Sequence, residues 1–216
     1  MPSPESASPV VTVQQLLQEL PHLWRGREHG TLITVRSSFE ELDRTLPGGG
    51  WPLGTLVELV PHCDGIGELS LALPALKTIT RAGRQIALVR PPYVPYAPAF
   101  RRADLPLGRL VWVAAANDHE GLWAAEQLLR GGAGAVLLWS TDADDRHLRR
   151  LQLAAESSQA LAFIYRPLPS LRHASPAGLR MELEPRDGLL RLKVLKVRGG
   201  HPCEFLLSLP PGGNRQ

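Results

Sequence analysis

Short apolar runs, each about as long as one strand, recur along the chain and are separated by segments with helical spacing. Nearly continuous apolar runs of this length are typical of strands that are buried on both faces of a parallel sheet. The runs predict strands over residues 31–36, 55–60, 85–89, 110–114, 135–140 and 160–165.

Apolar residues at spacings of three and four predict the helices between these strands. The helices are expected over residues 39–45, 69–80, 120–130 and from 142 onward. We expect Ser38 to cap the first helix, and Pro74 to kink or break the second. In the third and fourth helices, Trp123 and Leu153 are expected to face the core.

The pattern changes to antiparallel strands near the C-terminus. Residues 175–184 and 188–197 predict a hairpin around the turn at 186–188, and a last strand follows at 204–209. A shift of the alternation at Val194 and Leu195 indicates a bulge. The whole order predicts an α/β fold with a mostly parallel sheet flanked by helices and C-terminal antiparallel strands.

Three regions are expected along the chain. Residues 1–28 comprise a disordered tail, an amphipathic helix and a linker, residues 29–209 form the main domain, and residues 210–216 form a flexible tail. The N-terminal helix carries an apolar stripe that packs either on the chain's own core or on another subunit. The candidate partner-binding residues of this stripe are Leu16, Leu17, Leu20 and Trp24.

Composition narrows the class of protein only a little. The 216 residues carry 24 basic and 21 acidic side chains, a weakly basic balance. Two cysteines, Cys63 and Cys203, do not make a disulfide framework or a zinc knuckle. Neither a membrane span nor a signal peptide is visible in the sequence, so we expect a cytoplasmic protein.

The stretch from residue 58 to residue 70 has the context of a nucleotide-binding P-loop, because a glycine-bearing loop joins a strand to a helix. Gly65 and Gly67 could bring backbone amides close to phosphates. However, Glu68 replaces the lysine that binds the β- and γ-phosphates, and Leu69 replaces the Mg²⁺-binding hydroxyl residue. A carboxylate repels a triphosphate, and leucine cannot bind a hard cation.

One set of runs comprises LD (42–43), LPGGG (46–50), Gly54 and VEL (57–59), followed by AEQLLRGGA (125–133) and the strand at 135–140. These runs resemble the core of the RecA recombinase. A second set comprises LWRGR (23–27), PGGGWP (47–52), GIGEL (65–69), PYVPYAP (92–98), LWAAEQ (122–127) and LRRLQLAAE (148–156). In combination these resemble, more closely, the ImuA family of RecA-like, SulA-related accessory proteins of mutagenic translesion synthesis, and the resemblance extends from about residue 16 to residue 209.

This resemblance implies that the ATPase residues of RecA are replaced in this chain. The P-loop lysine and threonine match Glu68 and Leu69, the catalytic glutamate falls near Pro92, and the Walker-B aspartate falls at Trp139. A P-loop ATPase needs its metal ligands and its base together. We therefore expect a pseudo-ATPase with no catalytic residues, no cofactor and no metal.

The resemblance also implies partners. It suggests an adaptor of SOS-induced lesion bypass that binds an ImuB-like Y-family protein, an error-prone DNA polymerase and, as a third candidate, RecA. A SulA-like inhibitor of the tubulin-like division protein FtsZ is the alternative. A third hypothesis is a nucleotide or DNA binder without hydrolysis, with any DNA contact weak or indirect.

Two further segments are candidates for binding. The basic residues Arg191, Lys193, Lys196 and Arg198 could meet DNA phosphates or an acidic partner, or could form an ordinary solvated face. The proline- and tyrosine-rich stretch at 91–98 predicts a stiff extended loop at the carboxyl end of a strand, where α/β sheets bind ligands. This loop could equally contact a protein or serve packing alone.

Overall fold

Buried strands alternate with helices along residues 32–209, the part of the chain that the computed structural model describes. The strands are β1 (Thr34–Val35), β2 (Trp51–Pro52), β3 (Thr55–Pro61), β4 (Ile86–Val89), β5 (Leu110–Val113), β6 (Ala135–Trp139), β7 (Leu161–Tyr165), β8 (Leu179–Arg186), β9 (Leu189–Val197) and β10 (Cys203–Leu207). The α-helices are α1 (Glu40–Thr45), α2 (Leu73–Arg81), α3 (Ala97–Arg102), α4 (Asp118–Arg130) and α5 (Asp145–Ser158).

Eight strands form one mixed sheet in the order β10-β9-β8-β3-β7-β6-β4-β5. The strands from β8 to β5 in this order are parallel to one another. β9 pairs antiparallel with β8, and β10 pairs antiparallel with β9. β1 and β2 form a separate two-stranded antiparallel ribbon. The predicted α/β class with C-terminal antiparallel strands is thereby confirmed.

Helices cover both faces of the sheet. On one face, Leu42 of α1, Leu76 of α2 and Phe100 of α3 join a core cluster with the inward residues of the strands. On the other face, Leu122 of α4 and Leu151 of α5 join a second cluster. A parallel sheet needs this double cover because both of its faces are apolar.

The start of α1 differs from the prediction. Ser38 has a positive φ of 65° and does not cap the helix, which begins at Glu40. The neighbouring Ser37 takes over a related role, because its hydroxyl accepts a hydrogen bond from the Phe39 amide at 3.1 Å. The Ser37 amide in turn donates to Asp43 Oδ1 at 2.8 Å, which fixes the chain's approach to the helix.

The predicted helix over 69–80 begins later than its apolar spacing indicated. The segment 68–72 forms turns, and α2 starts at Leu73 with Pro74 in its first turn. Proline is tolerated there because the first amides of a helix have no intrahelical acceptor. Pro74 therefore marks the start of the helix and does not kink it.

Two apolar side chains predicted to face the core are exposed. Trp123 of α4 is 58% exposed and Leu153 of α5 is 62% exposed. The two helices pack against each other as well as against the sheet, and the buried stripe of each helix is filled by other residues, such as Leu122 and Leu151.

The structure also places a short helix, α3, at the end of the predicted extended loop over 91–98.

The predicted hairpin and its irregularity are both confirmed. β8 and β9 pair antiparallel, with Arg180 opposite Lys196 and Met181 opposite Val194. Leu195 is left between the two pairs, as expected for a β-bulge. The turn uses Asp187 and Gly188 in the left-handed region, at φ values of 50° and 78°.

A buried charge cluster joins the centre of the sheet to its surroundings. Glu58 on β3 is completely buried, and its Oε1 lies 3.0 Å from Arg166 Nη1 and 3.2 Å from Arg180 Nη2. Both arginines are themselves buried. Because an unpaired buried charge is very costly, each arginine depends on Glu58 and Glu58 depends on the two arginines.

The same arginines hold connecting segments against the sheet. Arg166 Nη2 donates to the carbonyl of Ala143 at 2.6 Å, in the loop that precedes α5. Arg180 donates to the carbonyls of His173 and Ser170 at 2.8 and 2.7 Å. The cluster of Glu58, Arg166 and Arg180 therefore fixes loops as well as strands.

Substitution of Glu58→Gln tests this role, because it keeps the volume of the side chain and removes its charge. We expect the free energy of unfolding to fall by about 3–5 kcal/mol, since two buried guanidinium groups lose their counterion. Urea unfolding followed by far-UV circular dichroism measures the change. The control is Glu184→Gln on the more exposed pair with Arg191, which should cost about 1 kcal/mol or less. Equal decreases in the free energy of unfolding of the two variants would show that the buried cluster contributes no more to stability than the exposed pair.

Candidate functional site

The loop that follows β3 lies at the carboxyl end of a central parallel strand. It runs over residues 62–68 and leads through a turn into α2. This strand, loop and helix have the arrangement that the sequence predicted for a P-loop. Open α/β sheets bind ligands at this edge, so the geometry of the loop decides whether a phosphate has room.

The carboxylate of Glu68 folds back into the loop. The Gly65 amide donates to Glu68 Oε1 at 3.0 Å, and the Glu68 side chain is buried. In a P-loop, backbone amides of this kind bind phosphate oxygens. Here the chain's own anion takes that position, and its negative charge repels an incoming phosphate.

An apolar side chain from the C-terminal end of the domain closes the loop from outside. Gly67 has a φ of 100°, and a Cβ at this position would lie 2.1 Å from Leu209 Cδ1. Ile66, Leu69 and Leu209 are partly buried and pack against the core below the sheet edge. Gly67 is therefore required both for its backbone angle and for the close approach of Leu209.

An aromatic pair occupies the position predicted for the Walker-B carboxylate. Trp139 at the end of β6 stacks on Tyr165 at the end of β7, with ring centroids 4.5 Å apart and an angle of 11° between the planes. The Tyr165 hydroxyl donates to the Glu68 carbonyl at 3.4 Å. Within residues 32–209, the buried Trp139 Nε1 has no hydrogen-bond partner. At the position predicted for the Walker-B carboxylate, the structure therefore has a packed aromatic pair.

The remaining residue of the predicted ATPase set, Pro92, is exposed in the loop after β4. Beside it, Arg90 forms an ion pair with Asp118 at the start of α4. Asp118 Oδ2 also accepts hydrogen bonds from Ser140 Oγ at 2.8 Å and from the Asp142 amide at 2.7 Å. These polar groups of the sheet edge satisfy one another.

Sequence reasoning missed Tyr165 and Leu209 as parts of this site. Both were assigned to strands on their apolar character alone. The signal for Tyr165 was its hydroxyl at the end of an apolar run, because a buried tyrosine needs a hydrogen-bond partner. No local signal indicated Leu209, whose contact with Gly67 joins residues distant in the chain.

The structure places the predicted basic strip of β9 among carboxylates. Arg191 forms ion pairs with Glu184 on β8 and, at 3.5 Å, with Glu204 on β10. Lys193 Nζ lies 4.0 Å from Glu182. These charges are therefore partly neutralised by side chains on the neighbouring strands.

The other two residues of the strip lie beyond the bulge. Lys196 donates to the Ser175 carbonyl at 2.8 Å, and Arg198 is exposed in the turn that follows β9. Binding of a partner or of DNA by these four residues stays a prediction. The predicted binding stripe of Leu16, Leu17, Leu20 and Trp24 lies outside the described residues, and so does the proposed domain boundary near residue 28.

Residues 32–209 contain neither a candidate metal centre nor a candidate membrane-spanning helix. No group of three or more histidine, cysteine or carboxylate side chains in this part of the chain could hold a metal ion. No helix in the same part is long and apolar enough to cross a membrane.

The buried phenol of Tyr165 predicts a loss of stability at alkaline pH. Burial, and then the charge of Glu68, raise the pKa of Tyr165 well above its ordinary value. A tyrosine in the unfolded chain releases its proton near pH ~10. Above that pH the unfolded state loses a proton that the folded state retains, so the contribution of Tyr165 is complete below pH ~10 and decreases as the pH rises.

Tyr165→Phe should therefore lose less stability than the wild type between about pH 9 and about pH 11. The urea midpoint, measured across this range, gives the comparison. Tyr96→Phe is the control, because it removes the hydroxyl of a tyrosine whose side chain is 64% exposed. Identical pH profiles of wild type and Tyr165→Phe would contradict the raised pKa.

Comparison with known proteins adds one relation to this geometry. No protein-family model matches the chain. The chain is 29% identical over 115 residues to a protein named cell division inhibitor SulA from Serratia proteamaculans (strain 568). The match covers 53% of this chain and 68% of that protein. About half of the chain is thus similar in sequence to a SulA protein.

Proposed function

We propose that the protein is a non-catalytic, RecA-like accessory protein of SOS-induced, error-prone translesion DNA synthesis. In this role it is an adaptor between an ImuB-like Y-family protein, an error-prone DNA polymerase and, as a third partner, RecA. The observation that carries the proposal is the closed loop after β3. The Glu68 carboxylate accepts a hydrogen bond from the Gly65 amide, and Leu209 lies against Gly67.

The chemistry of the loop supports a pseudo-ATPase. Phosphoryl transfer depends on a bound divalent cation and on groups that neutralise the phosphates. The corresponding positions hold Glu68, Leu69 and Trp139, of which the first repels phosphate and the others cannot bind Mg²⁺. A fold that keeps this frame without its ligands is suited to binding other proteins through its surface.

The similarity to a SulA protein supports a SulA-related protein of the SOS response with protein partners. It also favours the second candidate function, a cell-division inhibitor that binds FtsZ. The runs that resemble the ImuA family, among them GIGEL at 65–69 and PYVPYAP at 92–98, favour the adaptor. The two functions differ in their partners, so a binding experiment separates them.

The pseudo-ATPase proposal predicts that the purified protein has no ATP turnover above background and no Mg²⁺-dependent affinity for ATP. Phosphate release and isothermal titration calorimetry measure the two quantities. Glu68→Lys alone should restore neither, because Leu69 and Trp139 still provide no metal ligand. The outcome that contradicts the proposal is turnover that co-purifies with the protein and is abolished by Asp64→Ala, which removes an exposed carboxylate of the same loop. For this outcome to count, the variant that abolishes turnover must have the same melting temperature as the wild type.

The adaptor proposal predicts co-elution with the ImuB-like protein in size-exclusion chromatography and no effect on the GTPase activity of FtsZ. Leu17→Asp combined with Leu20→Asp should weaken co-elution and leave the melting temperature unchanged, if the N-terminal stripe binds a partner. Inhibition of FtsZ without binding to the ImuB-like protein would replace the adaptor by the division inhibitor. A lower melting temperature in the double variant would assign the stripe to internal packing.

A further inference from the structure

Basic and acidic residues are unevenly distributed along the chain. The stretch from residue 69 to residue 117 contains a single acidic residue, Asp104, although the whole chain has 21. The same stretch contains seven of the 24 basic residues, which are Lys77, Arg81, Arg84, Arg90, Arg101, Arg102 and Arg109. The excess of positive charge in this stretch is therefore larger than that of the whole protein.

The fold gathers this stretch at one edge of the sheet. The stretch supplies α2, β4, α3 and β5, and β5 is the last strand of the sheet on this side. The basic residues of this stretch therefore lie on neighbouring elements at this side of the sheet. We call the segment from β4 through α3 to β5 (residues 86–113) the basic edge.

Some charges of this region are already engaged. Lys77 Nζ lies 2.6 Å from Asp104 Oδ2, and Arg90 pairs with Asp118. Arg84 donates to backbone carbonyls, among them that of Ala133 at 3.0 Å. These side chains fix local structure and have little capacity left for a ligand.

Three arginines of the basic edge keep their charge available. Arg101, Arg102 and Arg109 are exposed, and none of them forms an ion pair with another residue in the range 32–209. The first two lie on α3, which the buried Phe100 anchors to the core. A short helix that is held in this way presents its arginines on a fixed surface.

The basic edge also exposes aromatic rings. Tyr93 is 70% exposed, Tyr96 is 64% exposed and Trp112 is 47% exposed. Asp104 is the only acidic residue in the sequence from 86 to 113, which contains these three rings. Large exposed aromatic side chains in such a group indicate a contact surface.

Strand pairing brings the two aromatic segments together. The Arg90 amide, at the start of the tyrosine loop, donates to the Val113 carbonyl at 2.9 Å, and Val113 is the neighbour of Trp112. Proline residues in the loop fix φ at several positions, so less backbone entropy is lost when a ligand binds the tyrosines. α3 follows directly after Tyr96.

We propose that the basic edge binds single-stranded nucleic acid. Unpaired bases can stack on the rings of Tyr93, Tyr96 and Trp112, and the guanidinium groups of Arg101, Arg102 and Arg109 can contact phosphates. Duplex DNA fits this surface less well, because its bases are stacked on each other and cannot reach the exposed rings. The inference is independent of the adaptor function and of the carboxylate-paired strip on β9.

The direct test is fluorescence anisotropy of labelled 20-mers of thymidine and of uridine, with a duplex of the same length for comparison. Both single strands should bind, and the duplex should bind more weakly. If three arginines contact phosphates, affinity should fall by about 20-fold between about 50 and about 200 mM salt. A tighter complex with thymidine than with uridine identifies DNA as the preferred ligand, and the reverse identifies RNA.

Two double variants separate stacking from charge. Tyr93→Ala with Tyr96→Ala should reduce affinity by about tenfold or more and leave the salt dependence unchanged. Arg101→Glu with Arg102→Glu should also reduce affinity, and should lower the salt effect to about threefold because one phosphate contact remains.

Matched controls lie on the opposite side of the sheet. Arg146→Glu with Arg149→Glu on α5 changes the net charge equally, and Trp123→Ala on α4 removes another exposed ring. Both controls should bind within about twofold of the wild type if the site is local. Melting temperatures of all variants should equal that of the wild type, since the replaced side chains are exposed.

Three results would overturn the proposal. The first is no binding of single strands by the wild type at low salt, and the second is equal or tighter binding of the duplex. The third is a loss in the control variants as large as that in the basic-edge variants, which would show a general charge effect. If the wild type binds an acidic peptide but no oligonucleotide, the proposal is likewise overturned, and the surface is a protein interface.

Discussion

The ion cluster of Glu58, Arg166 and Arg180 is the constraint on which the centre of the structure depends. A single carboxylate in the middle of β3 faces two buried arginines, one directly after β7 and one on β8. The energetic reason is that none of the three could remain charged in the interior alone. Their additional hydrogen bonds to Ala143, His173 and Ser170 carry this constraint into the connecting segments.

Beside this fixed centre, the loop after β3 leads from a buried strand toward α2, with Glu68 and Leu69 at the positions predicted for the polar ligands of a P-loop. Glu68 satisfies an amide that would otherwise face a phosphate, and Leu209 covers the glycine next to it. Trp139, at the position predicted for the Walker-B carboxylate, stacks on Tyr165. Ile66, Glu68 and Leu69 thereby join the end of the loop to the packed interior, whereas Cys63, Asp64 and Gly65 stay exposed.

Neighbouring residues decide what a basic side chain can bind. Arg191 and Lys193 form a basic pattern in the sequence, but β8 and β10 place carboxylates next to them. Arg101 and Arg102 are less conspicuous in the sequence, and yet α3 leaves them exposed in the same segment as the exposed rings of Tyr93, Tyr96 and Trp112. The availability of a charge depends on strand pairing and helix placement, so charge counts along the chain give only a first indication.

Local periodicity determined the fold class, the order of strands and helices, the hairpin and its bulge at Leu195, because each depends on residues close together in the chain. The same periodicity predicted that Trp123 and Leu153 are buried, but both are exposed. The width of the buried stripe on each helix depends on how the neighbouring helix packs, which periodicity does not show. Glycine spacing predicted a loop around Glu68 after a buried strand, and the structure has one between β3 and α2. Only the tertiary structure decided that Leu209 closes this loop and that Glu58 pairs with Arg166 and Arg180, because these contacts join residues far apart in sequence.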